Sequence, residues 1–139
     1  MSGAIDLAIR TALQNRLATI TPAITTLFEN EGVTPVDGSP YQRVTLMPIQ
    51  PDDPTMGNGL VFERGIFHIL LCYPLNVGVG PVTARAKLIK DSFRRALSLV
   101  SGGVTVTIER TPEVAQGQTD VKTFNIPVRI TYFSQNLNP

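Results

Sequence analysis

Tryptophan is absent from this chain, and cysteine and histidine occur once each, as Cys72 and His68. A single cysteine excludes an internal disulfide, and one Cys with one His is too small a ligand set for a structural zinc site. A reducing compartment such as the cytoplasm is the expected setting. Long hydrophobic runs are also missing: nothing reaches the roughly 18 uninterrupted apolar residues that a spanning helix needs. Asp6 and Arg10 interrupt the N-terminal region, so a secretory signal is not expected and the protein should be soluble. Neither charge sign dominates. A net charge of +1 gives no global attraction to nucleic acid, and only Tyr and Phe are available for stacking.

What the chain does have is segregated charge. Glu29, Glu31, Asp37, Asp52, Asp53 and Glu63 fall in one stretch against only Arg43. Arg85, Lys87, Lys90, Arg94 and Arg95 fall in one predicted helix against only Asp91. A nearly neutral protein with an acidic and a basic end can adhere to copies of itself, which points toward assembly.

At 139 residues the chain fits one domain, 1–139, large enough to bury roughly 68–70% of its unfolded surface. Ile5, Ala8, Ile9, Ala12, Leu13, Leu17 and Ile20 follow the three-and-four spacing of a one-sided helix, capped at Ser2 and stopped before Pro22. Ala23 to Glu29 reads as a short strand. A turn-rich segment leads into Tyr41–Met47, where alternation puts Tyr41, Arg43, Thr45 and Met47 on one face and Gln42, Val44 and Leu46 on the other.

After a Pro/Gly-rich loop from Pro48 to Gly59, the run Ile66–Tyr73 predicts a central strand covered on both faces. Pro81 opens a second helix with its buried stripe at Val82, Ala86, Ile89, Phe93, Ala96, Leu97 and Val100, closed by Gly102 and Gly103. Val104–Glu109 and Phe124–Tyr132 then alternate as strands, joined by a polar connection from Thr111 to Asp120. Pro127 implies an edge strand or a bulge there, and an edge of that length is a docking surface. The expected fold class is α/β in the α+β sense: a mixed, mostly antiparallel sheet of about five strands with two main helices, in the order α-β-β-β-α-β-β.

Catalytic readings are weak. Asn76-Val-Gly-Val-Gly-Pro lies between a strand and a helix, where a phosphate cradle belongs. It lacks the third glycine of a dinucleotide fingerprint and any Gly-Lys-Ser/Thr, and Pro81 removes an amide donor. A tight turn explains it better. His68 and Cys72 share a strand face, but four residues in a strand separate them by roughly 13 Å, too far to activate a thiol. No serine, lysine or carboxylate pair forms a catalytic motif. No cofactor or metal is expected, since Asp52 and Asp53 have no further acid at ligand spacing. Lys87, Lys90 and Arg94 fall at three-and-four spacing on a helix and so form one stripe. It is either a solvated face, a phosphate contact or a contact with the acidic segment of another subunit.

The order of elements, with Pro40-Tyr-Gln-Arg-Val-Thr-Leu-Met-Pro48, Arg64-Gly-Ile-Phe-His-Ile-Leu-Leu-Cys-Tyr-Pro74, the helix from Gly80 to Phe93-Arg-Arg-Ala-Leu97 and the two closing strands, resembles the tail terminator proteins of long-tailed, siphovirus-type bacteriophages. That resemblance implies a non-enzymatic virion protein, assembled in the host cytoplasm. It implies a homo-oligomeric ring, commonly a hexamer, on the head-proximal end of the tail tube. The implied partners are copies of itself, the tail tube protein and a head-side connector protein, with double-stranded DNA passing through the lumen without specific binding and no membrane involved. A strongly basic lumen would grip DNA, so the lysine/arginine stripe belongs at a subunit boundary or outside.

In a ring, one patch meets a different patch on the next copy, so unlike charges suit its heterologous contacts. Asp52, Asp53, Met56, Glu63, Lys87, Lys90, Arg94 and Arg129 are the candidate interface residues, with the 48–59 and 111–120 loops as contact arms. The neighbouring alternative is a head–tail connector, neck or tail-completion protein. From a different class, the alternative is a small nucleotide- or ligand-binding α/β domain using Gly78 and Gly80.

Overall fold

Two one-sided helical stripes and one long apolar run meet in a single layer pair. The computed structural model describes residues 2–21, 24–29, 38–52 and 60–137. Helix α1 is Ser2–Ala18; strands β1, β2 and β3 are Thr25–Leu27, Tyr41–Asp52 and Leu60–Pro74; helix α2 is Gly80–Ser92. Strands β4 (Ser98–Ser101), β5 (Val104–Ile108), β6 (Glu113–Val114), β7 (Gln118–Thr119) and β8 (Thr123–Leu137) complete the order. All eight strands form one sheet, β1-β2-β3-β8-β5-β4, with β6 and β7 also pairing β8. Among the described strands only β1 and β2 pair in parallel. The α+β class stands as expected, with more strands than the five anticipated.

Ile9, Ala12, Leu13 and Leu17 of α1, with Ile20 just past its end, join Val82, Ala86 and Ile89 of α2, with Phe93 at its C-cap, over Val44, Leu46, Phe67, Ile69, Leu71, Val128 and Ile130 of the sheet. Fully burying each larger side chain stabilises by about 1.5–3 kcal/mol, so this shared face is the main source of stability. The first helix ends as Thr19 N donates to Arg16 O at 3.1 Å and Ile20 N to Leu17 O at 3.2 Å, tightening the last turn before Pro22.

Strand β3 is central, as predicted, but the helices cover only one of its faces. Phe67, Ile69 and Leu71 are fully buried, whereas Ile66, His68 and Leu70 on the opposite face are half-buried. That second face also carries Arg43, Thr45, Met47 and Ile49 of β2, and Pro127, Arg129, Thr131 and Phe133 of β8.

Two further expectations change. The second helix stops at Ser92 instead of reaching Val100, because Phe93 leaves the helical region at φ −108°, ψ 52°, and Ala96 turns left-handed at φ 69°. Ala96 N and Leu97 O then both bond Ile108, a bulge that starts β4. Val100 is a strand residue, 71% exposed, and not part of the helical stripe. Gly102 and Gly103, at φ 56° and 79°, form the two-residue turn between β4 and β5 and do not cap the helix.

Pro127 does not lie on a bare edge: β8 has β3 along one side and β5, β6 and β7 in succession along the other, and the register to the outer segments shifts by one residue between the Val114–Val128 and Gln118–Asn125 pairs that flank it. Pro127 O accepts from Ala115 N at 3.0 Å. A strand residue's N–H and C=O point the same way, so the missing donor faces the short outer segment and leaves the ladder to β3 intact. The 111–120 connection is therefore folded back onto β8 and does not project as an arm.

Candidate functional site

Among the described residues the candidate interface residues do not gather in one cleft: Asp52 and Glu63 belong to β2 and β3, Lys87 and Lys90 to α2, Arg94 lies just beyond that helix and Arg129 is on β8. At the end of α2 the structure builds a cationic cluster. Arg16 Nε donates to Ser92 O at 3.0 Å, which brings the end of α1 to the C-terminus of α2, where Lys90, Arg94 and Arg95 are exposed. Cations are favoured there because the last helical carbonyls carry partial negative charge. Among the described residues no carboxylate forms an ion pair with Arg16, Lys90, Arg94 or Arg95.

The expected stripe of Lys87, Lys90 and Arg94 is thus corrected. Arg94 lies beyond the helix end, and Lys87 Nζ is held by Asp91 at 2.8 Å, one turn on. Arg85 leaves the basic surface altogether. It is 3% exposed, and burial pulls its pKa down while neighbouring Tyr73 works in the opposite direction.

On the acidic side, Glu29 serves the fold. Its Oε1 accepts from Leu46 N at 2.8 Å on the outer edge of β2 and from Arg10 of α1 at 2.7 Å. The backbone hydrogen bond from Leu46 is the larger cause, and Arg10 the next, of a carboxyl pKa below its ordinary 4.5. Glu63 is half-buried on β3 and helps line a cavity of about 120 Å³ with Ile9, Arg10, Leu46, Pro48 and Tyr132. Asp52 ends β2, opposite Phe62 across a register shift. Asp53 and Met56, like Glu31 and Asp37, lie outside the described residues.

The role of Glu29 gives a pH prediction. A depressed folded pKa contributes stability that is complete above the unfolded value and is lost as pH falls through the folded one. Glu29→Gln should therefore cost about 0.5–1 kcal/mol at neutral pH, a small figure because both charged partners meet water. Urea titrations should show the difference from wild type shrinking once pH drops below 4.5. A gap that persists unchanged into strong acid would assign the effect to shape and not to charge.

Arg129 is on the open face, paired with Glu113 at 2.6 Å and opposite His68 in the ladder. His68 is half-buried, and desolvation first, then Arg129, lowers its pKa. Farther along, one Arg64 nitrogen donates to both oxygens of Glu109 at 3.1 Å. These two residues line a cavity of about 290 Å³ with Phe62 and Phe133, whose rings lie 6.2 Å apart. Cys72 is buried, and burial raises its thiol pKa, the opposite of what a nucleophilic thiolate requires. His68 and Cys72 share a face, as the alternation predicts.

Sequence reasoning did not find Arg16 or the Arg64–Glu109 pair. Arg16 meets Ser92 across 76 residues of chain, and no local pattern encodes such a contact.

Two helices packed on one face of a mixed sheet define an α+β domain. The phage tail terminator protein family matches residues 8–132, and the chain belongs to that family, a structural component of the bacteriophage tail. A solved structure 22% identical in sequence superposes with a TM-score of 0.75 over 100% of this chain and 98% of the other, which establishes the shared fold. No curated protein matches the chain.

Proposed function

We propose that the protein forms a ring on the head-proximal end of a completed siphovirus-type tail tube, stops further tube growth and presents the surface to which the DNA-filled head attaches. The observation that carries this reading is the match to the tail terminator family across residues 8–132. The separation of unlike charges supports it, because a closed ring needs two different patches on each subunit. The partners are further copies of the chain, with a hexamer the expected number, the tail tube protein on one side and a head-side connector protein on the other. No cofactor takes part, and DNA passes through the lumen without being gripped.

Electron microscopy of the purified protein mixed with tail tubes from the same phage tests this. A cap confined to one end of each tube, and an arrest of tube elongation on adding the protein to polymerising tube subunits, are the expected results. Copurification with heads and indifference to tube ends would instead make it a neck or tail-completion protein.

A further inference from the structure

The two ends of the strand order are built differently. On the β1 side, β1 pairs with Tyr41, Gln42 and Arg43, Glu29 Oε1 accepts the Leu46 N–H at 2.8 Å, and Pro48 has no N–H to offer. Each of these blunts an edge that would otherwise recruit another strand. On the other side, the outermost strand β4 reads Ser98-Leu99-Val100-Ser101, with neither a charge nor a proline.

The register fixes which backbone groups β4 leaves over. Ile108 N donates to Leu97 O at 2.9 Å, and Ser101 closes the hairpin against Val104. Bonding alternates along an antiparallel ladder, so Leu97, Leu99 and Ser101 turn their N–H and C=O toward β5, and Ser98 and Val100 turn theirs outward. Among the described residues nothing bonds those outward groups. Val100 is 71% exposed, more than a strand residue flanked on both sides retains, so water reaches the edge itself. Leu97 and Leu99 face the other way and pack against the core.

We propose that this edge is the interface for a second copy of the chain, with β4 pairing antiparallel to its own counterpart about a two-fold axis at Leu99. In that register Ser98 of each copy faces Val100 of the other, and each such pair exchanges both of its N–H···O bonds. Moving the axis to Val100 would set Ser98 against Gly102, whose φ of 56° has left the strand. Moving it to Ser98 would set Val100 against Ala96, whose N–H is already held by Ile108 O. The chosen register also brings Leu99 against Leu99 of the partner copy and carries the core-facing side of the sheet across the axis. Arg94 and Arg95 precede β4 in each copy, so the axis sends the two cationic clusters to opposite ends of the contact. A two-fold contact is used up by one partner, and the free protein stops at a pair. It is separate from the heterologous contacts of the ring and does not rest on them.

Val100→Pro removes an outward N–H that β5 does not use and puts the proline ring where the incoming strand must lie. The hairpin should stand, and pairing should weaken by about tenfold or more. Val100→Lys places like charges diagonally across the axis and should weaken pairing more in low salt than in high salt. In a Cys72→Ala background, Leu99→Cys should form an intersubunit disulfide on mild oxidation, because facing residues at a non-hydrogen-bonded position have Cα atoms about 4.5 Å apart. Ser101→Cys in the same background should not, since its two copies lie on either side of the axis.

Sedimentation velocity reads the mass of the free protein, amide hydrogen exchange reads the edge, and circular dichroism checks the fold of each variant. The expected result is a wild-type pair whose Ser98 and Val100 amides gain protection as protein concentration rises. A wild type that stays monomeric, a Val100→Pro variant that pairs like wild type, or equal cross-linking of the two cysteine variants would overturn the proposal. Rings formed alike by wild type and Val100→Pro, with Ser98 and Val100 unprotected, would remove this contact and leave the ring reading standing. Pairing through β4 by a protein that ignores tube ends would keep the contact and remove the tube-capping reading.

Discussion

Phe93→Ala should lower the free energy of unfolding by about 3–5 kcal/mol, a large fraction of the stability of a domain this size. The side chain is fully buried at the point where α2 ends, and its ring lies 6.0 Å from that of Phe67 on the sheet. Its backbone N–H closes the helix on Ile89 O at 3.0 Å, so the residue is fixed from both sides and the cavity cannot collapse freely. Urea denaturation should show the midpoint falling with little change in slope, the signature of lost stability rather than altered compactness. Leu88→Ala, on the exposed side of the same helix, should stay within about 0.5 kcal/mol. A loss below about 1 kcal/mol for Phe93→Ala would mean that the neighbouring side chains close over the space.

Phe93 also marks where the sequence stops announcing the structure. The buried positions of α1 are written in its apolar spacing, and Val82, Ala86, Ile89 and Phe93 are equally plain in α2. The same spacing continues through Ala96, Leu97 and Val100, although those residues build a bulge and an edge strand. A helical stripe and a short strand share residues here, and the decisive contact is the pairing of Leu99 with Val106 through the Gly102–Gly103 turn. Nothing local ranks a hairpin turn above a helix end when both use glycine.

The charged surface was legible in amount and sign but not in use. Glu29 reads as part of an acidic surface and serves as a clamp between Arg10 and the edge of β2. Arg85 reads as part of a basic face and is buried. In each case the side chain's role depends on which distant element packs beside it. Pro127 shows the same limit for the backbone: the rule that keeps proline at edges concerns the direction of one missing donor, and that direction is fixed only once β3 has taken one side of β8.

Gly65→Ala should be the second costly substitution, at about 1–3 kcal/mol, because the added methyl group has no room. Its Cβ would lie 2.8 Å from Met47 O and 2.8 Å from Tyr132 Cζ, with the phenol oxygen closer still. Gly65 pairs with Tyr132 and with Pro48 across the sheet, so the buried ring lies over the one backbone position in that row without a side chain. A Tyr132→Leu background removes the phenol and should recover part of the loss, giving a coupling of about 0.5–3 kcal/mol in a double-mutant cycle. Rescue stays partial because the Met47 carbonyl belongs to the ladder and cannot withdraw.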